Sequence, residues 1–412
     1  MTGVLRIVAV VLLLLAITGT VLPHLQQAAQ EPVVERVHQD QIATIQPAIQ
    51  PVQPAPPRLG TSPSVLVQTI HERVAPSHSD LPSPVSVSQS AATWDNANER
   101  ARIIARIEAT WRDWLTKEGI PGAAIAIGHH GQLVHEAGQG RTPDARVNLA
   151  SLSKSITAVC VQETFHARGL NLKTTLGDLS DVLGTARATP PAHSHEITIA
   201  ELLTHTSGLK PDITQSNEEF SRARFANEPL DTSYSLKALA RRAVTGTRGE
   251  YFYNNGNYAV LGAVLRGLYG GNYEAACREL VLRPANADAI SFSGKWGGLG
   301  GFAGWNGSAA DYLHFANYAF AADMPRRQEP GQFPYAQTGY RWQYGLGMGY
   351  TPVDEQFFIS HYGRICVAGS DDNITTFYFS NVQGWSVSVN LDGCVTREKR
   401  ASLQRKLNKV AR

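Results

Sequence analysis

Ser151 and Lys154 carry the clearest chemical signal in the sequence, because a hydroxyl and an amine stand three positions apart. The apolar run that follows them closes at Arg168 and Gly169, which predicts a buried helix with the serine in its first turn. Residues i and i+3 share a helix face, so the amine can reach the hydroxyl. The backbone N–H groups of a first turn also favour the negative charge of an alkoxide or an oxyanion. The pair therefore predicts a serine nucleophile with lysine as its base.

A Ser-x-x-Lys match is weak evidence alone, since the alternative is an N-cap serine followed by a solvated lysine. Tyr253 and Asn255 strengthen it, because they form a Tyr-x-Asn triplet ahead of an apolar helix. A phenol beside a lysine can pass the serine proton to a leaving group, and an amide can hold a substrate carbonyl. These are the groups that a serine nucleophile needs.

His361, Tyr362 and Gly363 form a third element, on a strand predicted near the C-terminus. A glycine on an edge strand lets substrate backbone approach closely, and the N–H of the next residue can complete an oxyanion hole. Three elements in this order, each on the expected type of secondary structure, predict an acyl-transfer site.

With these elements the chain resembles the β-lactamase-like serine hydrolases, which include class C β-lactamases, D-alanyl-D-alanine carboxypeptidases and related esterases. The resemblance extends over most of residues 94–395, including the loop Leu-Leu-Thr-His-Thr-Ser-Gly-Leu at 202–209. It implies that Ser151 is the acylated nucleophile and that Lys154 and Tyr253 transfer its proton.

The same resemblance assigns the substrate-binding groups. It implies that Asn255 contacts substrate and that His361 and Gly363 shape the far wall of the cleft. It also implies that the backbone N–H groups of Ser151 and Arg364 form the oxyanion hole.

The chain departs from the β-lactamase pattern at the third element. Residues 361–363 read His-Tyr-Gly where β-lactamases of this family carry Lys-Thr-Gly, so a cation and a hydroxyl for the substrate carboxylate are missing. We expect the guanidinium of Arg364 to hold that carboxylate instead, and Tyr362 to narrow the cleft. A carboxypeptidase or an esterase is therefore favoured over a β-lactamase.

Composition divides the 412 residues into three segments. Residues 1–22 combine a short n-region with an apolar stretch, which predicts export with either a cleaved signal peptide or a retained membrane anchor. Residues 23–93 lack aromatic side chains and are rich in proline and glutamine, which predicts a disordered linker. Residues 94–412 hold every aromatic residue and are predicted to form the hydrolase domain.

Hydrophobic periodicity predicts an α/β (α+β) fold for that domain, with an antiparallel sheet flanked by helices and a mainly helical lobe. The sheet lobe is assigned to residues 94–150 and 336–412, and the helical lobe to residues 151–335. The first and last segments of the chain thus build one sheet, and the active site is expected between the lobes.

The four cysteines receive different predictions. Cys366 and Cys394 each follow a predicted strand, at the same end of neighbouring strands, and are predicted to form a disulfide. Cys160 and Cys277 lie in apolar helical contexts and are predicted to be buried thiols.

The charge balance and the histidine pattern limit the partners. A formal net charge of +2 gives no reason to expect nucleic acid, and the His193–His195 pair lacks the spacing of a metal site, so neither a metal nor a cofactor is expected. The predicted partner is a small molecule or peptide: an ester, a D-Ala-D-Ala peptide or a β-lactam. The predicted protein is an exported monomer, periplasmic or otherwise extracytoplasmic, whose only membrane contact is an anchor at residues 7–22 where that segment is retained.

These observations predict a serine hydrolase that works through an acyl-enzyme, with a D-alanyl-D-alanine carboxypeptidase-like peptidase or an esterase as the first candidate. The alternatives are a class C-like β-lactamase and a catalytically idle relative that binds cell-wall peptide. Intact Ser, Lys, Tyr and Asn residues argue against the idle alternative.

Overall fold

The structure is a computed structural model that describes residues 97–320, 334–339 and 341–412. The leader predicted at 1–22 and the linker predicted at 23–93 lie outside these ranges. Within them, no helix combines the length and the apolar composition that crossing a membrane requires.

An eight-stranded antiparallel sheet forms the centre of the described domain, and a short two-stranded ribbon lies apart from it. The strands, in chain order, are β1 (Ala123–His129), β2 (Gln132–Gln139), β3 (Val147–Asn148), β4 (Asn306–Gly307), β5 (Ala336–Gln337), β6 (Gln343–Gly345), β7 (Met348–Val353), β8 (Gln356–Ile365), β9 (Ile374–Ser380) and β10 (Trp385–Asp392). The order across the sheet is β2-β1-β10-β9-β8-β7-β6-β5, and β3 pairs with β4 in the ribbon. The C-terminal strand β10 therefore lies between the N-terminal hairpin and the remaining strands.

Helices cover both faces of this sheet and form the second lobe. They are α1 (Ala97–Glu118), α2 (Ser153–Ala167), α3 (Ser180–Thr185), α4 (Ile199–Leu203), α5 (Asn217–Arg224), α6 (Asp231–Ala238), α7 (Asn255–Leu268), α8 (Tyr273–Cys277), α9 (Ala309–Phe320) and α10 (Arg397–Val410). The apolar stripes of α1 and α10 pack on one face of the sheet, and α9 packs on the other. Because both faces are covered, β1, β9 and nearly all of β10 are buried along their whole length rather than in alternation.

The predicted fold class is confirmed, and the strongest local patterns lie close to the observed elements. Hydrophobic periodicity predicts a helix at 96–118, which corresponds to α1, and strands at 356–362, 374–379 and 385–391, which correspond to β8, β9 and β10. The strands β5 to β7 have no counterpart among the predictions, because β5 and β6 are only two and three residues long and β7 contains glycine and proline.

Both pairs of cysteines are bonded in the structure. Cys366 pairs with Cys394, joining the ends of β8 and β10. The prediction that Cys160 and Cys277 are free thiols is wrong, because these residues form a second disulfide between α2 and α8. Their apolar surroundings were correctly anticipated, since both side chains are fully buried.

We expect the Cys160–Cys277 bridge to contribute more stability than the Cys366–Cys394 bridge. The first spans 117 positions of sequence and the second spans 28, so the first restricts the unfolded chain more strongly. The loop-entropy relation gives losses of about 5 and about 4 kcal/mol for the respective double alanine variants. Denaturant unfolding of both variants measures the ranking, and the reverse order would contradict it.

Candidate active site

Ser151 lies in a tight turn in front of α2 rather than within the helix. One 3₁₀ turn spans Ala150–Leu152, and the α-helix begins at Ser153, so the prediction of a serine in the first α-helical turn is wrong by two residues. Ala150 adopts a left-handed conformation with φ 47°, which is strained for a residue with a side chain. The side chain of Asn148 holds this conformation by accepting the Ala150 N–H at 2.7 Å. The nucleophile is thus presented on a strained elbow.

Lys154 contacts the serine directly, as the i, i+3 spacing predicts. Its Nζ donates to Ser151 Oγ at 3.0 Å and to the Phe302 carbonyl at 2.9 Å. The lysine is fully buried. Because the carbonyl fixes the position of Nζ, the amine is held at the distance from which it can accept the serine proton.

Aromatic rings surround the lysine amine. Nζ lies 4.9 Å from the ring centre of Tyr253 and 5.9 Å from those of Tyr258 and Phe302. Tyr253 itself is buried. The cage excludes water and brings the predicted proton-transfer pair of Lys154 and Tyr253 together.

His205 supports the Tyr-x-Asn triplet from behind. Its Nδ1 accepts from the Asn254 backbone N–H at 3.2 Å and from the Asn257 amide at 3.0 Å, so the ring proton belongs on Nε2. Burial, together with the nearby Lys154 charge, holds the pKa of His205 well below its usual value. This neutral ring packs 4.4 Å from the ring of Tyr253 and fixes its position.

Asn255 is oriented by a short chain of hydrogen bonds. Thr214 Oγ1 donates to the carboxylate of Asp212 at 2.8 Å, so it can only accept from Asn255 Nδ2, which lies 3.2 Å away. The other amide atom of Asn255, Oδ1, is buried and has no hydrogen-bond partner within the described part of the chain. The hydrogen bond to Thr214 engages one of the two N–H groups of Nδ2 and orients the amide, so Oδ1 is the acceptor that remains without a partner among the described residues.

The far wall of the site is an open stretch of strand β8. In the described residues, β7 pairs with β8 only as far as Ser360, so the edge beyond it faces the nucleophile turn. A side chain at Gly363 would overlap the Ser151 backbone nitrogen, which explains the glycine. Thr376 on β9 also donates to the Leu149 carbonyl at 2.9 Å. The strand and the serine turn are thus packed together.

His361 faces the same side of the sheet as Gly363. Its ring lies 6.2 Å from that of Tyr253. Burial, assisted by the positive charges of Lys154 and Arg400, lowers the pKa of His361 to about 3. The residue is therefore neutral at physiological pH and supplies no cation to the site.

Tyr362 and Arg364 lie on the opposite face of β8, so the roles predicted for their side chains are wrong. Strand residues alternate between faces, and Gly363 faces Ser151. The ring of Tyr362 packs beneath Arg400 of α10, 3.9 Å from its guanidinium. Arg364 donates to the Val395 carbonyl at 3.5 Å on that same side. Only the backbone of these two residues can reach substrate.

We therefore expect Arg364→Ala to leave substrate binding unchanged. KM should stay within about twofold for a carboxylate-bearing substrate and for its neutral analogue, since a surface change away from the site has little effect. Steady-state kinetics on the two substrates measures this. A rise in KM of tenfold or more that is confined to the carboxylate substrate would show that Arg364 does bind it.

Several residues of the site were not found from the sequence. The ring centre of Tyr344 lies 5.8 Å from that of Tyr251 and 6.4 Å from that of Trp342. The three rings form an aromatic wall beside Tyr253. The local signal, an aromatic two residues before the Tyr-x-Asn triplet, was present but unspecific. In the described part of the chain, no group of three or more His, Cys, Asp or Glu side chains is placed to hold a metal ion.

Comparison with known proteins identifies related sequences. The family model described as Beta-lactamase matches residues 100–395. The chain is 26% identical over 188 residues to Protein flp of Staphylococcus aureus (strain MRSA252), an alignment that covers 43% of this chain and 36% of that protein. The chain thus spans little more than a third of the length of that relative.

Solved structures share the fold at low sequence identity. A D-amino acid amidase from Ochrobactrum anthropi SV3 gives a TM-score of 0.57 at 14% identity, covering 75% of this chain and 98% of the amidase. A D-alanine carboxypeptidase from Burkholderia cenocepacia gives a TM-score of 0.53 at 14% identity, covering 75% and 99%. At these identities the similarity demonstrates a common fold.

Proposed function

Since this chain belongs to the beta-lactamase family of serine hydrolases, we propose that it hydrolyses small amides and peptides of D-amino acids through an acyl-enzyme on Ser151. The observation that carries the proposal is the 3.0 Å hydrogen bond between Lys154 Nζ and Ser151 Oγ in a buried aromatic cage. The related structures of a D-amino acid amidase and a D-alanine carboxypeptidase support the same substrate class.

The arrangement supports a two-step acyl transfer. Ser151 Oγ attacks the substrate carbonyl while Lys154 Nζ takes its proton, and the backbone N–H groups of Ser151 and Arg364 stabilise the oxyanion. The proton then passes through Lys154 and Tyr253 to the leaving nitrogen, and the C–N bond breaks. Water, deprotonated by the same pair, attacks the ester and releases the acid.

The wall formed by β8 favours a neutral leaving group. His361 is uncharged, with a pKa of about 3, and Arg364 lies on the far face of the sheet. The strand therefore offers no cation to a carboxylate next to the scissile bond. This argument ranks an amidase or peptidase above a carboxypeptidase that depends on a terminal carboxylate, and both above a β-lactamase.

Asn255 favours amides over esters. Its Oδ1 lacks a partner in the described part of the chain and can accept a hydrogen bond, while the Asp212–Thr214 pair fixes the orientation of the amide. An amide or amine N–H satisfies this buried acceptor, whereas an ester lacking such a donor leaves it unpaired.

A matched pair of peptides tests the proposal. An N-acyl-D-Ala-D-Ala peptide with a free carboxylate is compared with the same peptide carrying a C-terminal amide. We expect the amide to show a kcat/KM at least equal to that of the acid. An advantage of tenfold or more for the acid would instead support a carboxypeptidase. Failure of the purified protein to take up either a fluorescent penicillin or a fluorophosphonate would support the idle, peptide-binding alternative.

Export to the periplasm is part of the same proposal. Residues 7–22 are apolar and follow Arg6, as in export signals. The two disulfides, which use all four cysteines, fit an oxidising compartment. Fractionation of cells that express the full chain, with detection of the mature N-terminus by mass spectrometry, tests export and cleavage together.

A further inference from the structure

Asp231 is a fully buried carboxylate in the helical lobe that the acyl-transfer mechanism does not use. It is the first residue of α6. Within the described part of the chain, no Lys, Arg or His side chain lies within ion-pair distance of it. A buried charge without an ion-pair partner is costly, so its hydrogen bonds must be examined for a role.

Two donors hold the carboxylate in place. The Gly301 backbone N–H donates to Oδ1 at 2.9 Å, and the Tyr273 hydroxyl donates to Oδ2 at 2.7 Å. Gly262 on α7 and Gly300 both pack directly against it, since a side chain at either glycine would overlap the carboxylate oxygens. The surrounding backbone therefore fits closely around the Asp231 carboxylate.

Despite these hydrogen bonds, the ionised carboxylate of Asp231 lowers the stability of the folded protein. Burial raises the pKa of Asp231 to about 6, opposed by the bonds from Gly301 and Tyr273 and by the more distant charge of Arg266. Because the pKa is higher in the folded than in the unfolded protein, folding stability falls as the pH rises from the ordinary aspartate range to about 6, so ionised Asp231 reduces the stability of the protein at neutral pH. A group that costs stability and persists in a closely fitted site is a candidate for a functional role.

The hydrogen bond between Gly301 and Asp231 lies one residue from the carbonyl that contacts the catalytic lysine. Gly301 also accepts from Thr157 Oγ1 of α2 through its carbonyl, at 2.7 Å. The next residue, Phe302, supplies the carbonyl that accepts from Lys154 Nζ at 2.9 Å. The segment that positions the lysine amine is thus anchored on one side by Asp231 and on the other by Thr157.

We propose that Asp231 is a positioning residue for the acyl-transfer reaction: by holding the Gly301 peptide it places the Phe302 carbonyl, which in turn holds the Lys154 amine against Ser151. The proposal rests on the proposed function, because it requires Lys154 to take the serine proton. Loss of the Asp231 oxygen leaves the Gly301 N–H unpaired and releases the segment. A displacement of about 1 Å at a reacting group lowers a rate by roughly 10²-fold.

Three variants test the proposal, using the acylation rate of Ser151 by a fluorescent penicillin. Asp231→Ala removes the acceptor and should lower the acylation rate constant by roughly 10²-fold while the dissociation constant of the initial complex stays unchanged. Asp231→Asn keeps an oxygen for the Gly301 N–H and should restore the rate to within about tenfold of wild type. Tyr273→Phe removes only the hydrogen bond to Asp231 Oδ2 and leaves the one from Gly301 in place. This variant should acylate at nearly the wild-type rate even if it unfolds at a lower temperature.

Equal losses of rate in Asp231→Ala and Tyr273→Phe, in proportion to their losses of melting temperature, would overturn the proposal in favour of a purely structural role. A wild-type rate in a folded Asp231→Ala variant would overturn it directly. If Asp231→Ala does not fold, Thr157→Val releases the same segment from the opposite side, and an unchanged rate there would also contradict the proposal. Wild-type protein that takes up neither a fluorescent penicillin nor a fluorophosphonate at Ser151 would instead contradict the proposed function.

Discussion

A Ser151→Ala variant is expected to take up no covalent label from a fluorescent penicillin or a fluorophosphonate under conditions that label the wild type fully. The Lys154 amine is hydrogen-bonded to Ser151 Oγ at 3.0 Å. The backbone next to Ser151 packs against β8, as an oxyanion site requires. Removing the attacking atom removes the reaction itself rather than slowing it. Intact-protein mass spectrometry after incubation measures the result.

Ser155→Ala provides the matched control. This neighbouring serine is also buried, but its hydroxyl bonds to the Leu152 carbonyl and to Tyr312. We expect this variant to be labelled at Ser151 like the wild type. Labelling of Ser151→Ala at the wild-type level would refute the nucleophile assignment, and peptide mapping would then locate the residue that reacts.

Lys154→Met is expected to lower the acylation rate by roughly 10⁴-fold, at the upper end for loss of a general base. The methionine keeps the length of the side chain but removes the amine that contacts both Ser151 and the Phe302 carbonyl. Because burying a polar amine costs free energy that burying a methionine side chain does not, the variant should be at least as stable as the wild type. The loss of rate would then be chemical rather than structural.

Lys154→Arg removes the base but keeps a positive charge at the same position. Arginine stays protonated at all accessible pH values, so it retains a cation but cannot accept the serine proton. We expect this variant to be as slow as Lys154→Met in stopped-flow acylation. A Lys154→Met rate within tenfold of the wild type would show that another group deprotonates Ser151.

The parts of the site that the sequence predicts well are those that depend on local spacing. Ser151 and Lys154 meet because residues three apart share one side of a helical turn, and this holds in the 3₁₀ turn as well. Alternation along β8 places the side chain of Arg364 on the face opposite Gly363. Once Gly363 is assigned to the serine side, Arg364 must face α10.

The parts that the sequence could not predict depend on contacts between distant segments. Cys160 and Cys277 are 117 positions apart, and nothing local shows that α2 and α8 meet. The orientation of Asn255 likewise depends on Asp212, some forty residues away, through the hydroxyl of Thr214. Such pairings are decided by the packing of the whole lobe, which no local pattern records.

The position of β10 in the sheet has a consequence for the order in which the protein folds. This strand, made after β1 to β9, lies between β1 and β9 and pairs with both. Until residues 385–392 leave the ribosome, the N-terminal hairpin and the β7–β9 strands have no partner to join them. The turn that carries Ser151 packs on β8 and β9, so its final position depends on contacts such as that of Leu149 with Thr376, 227 positions away. The catalytic site is therefore assembled by a long-range and correspondingly slow step.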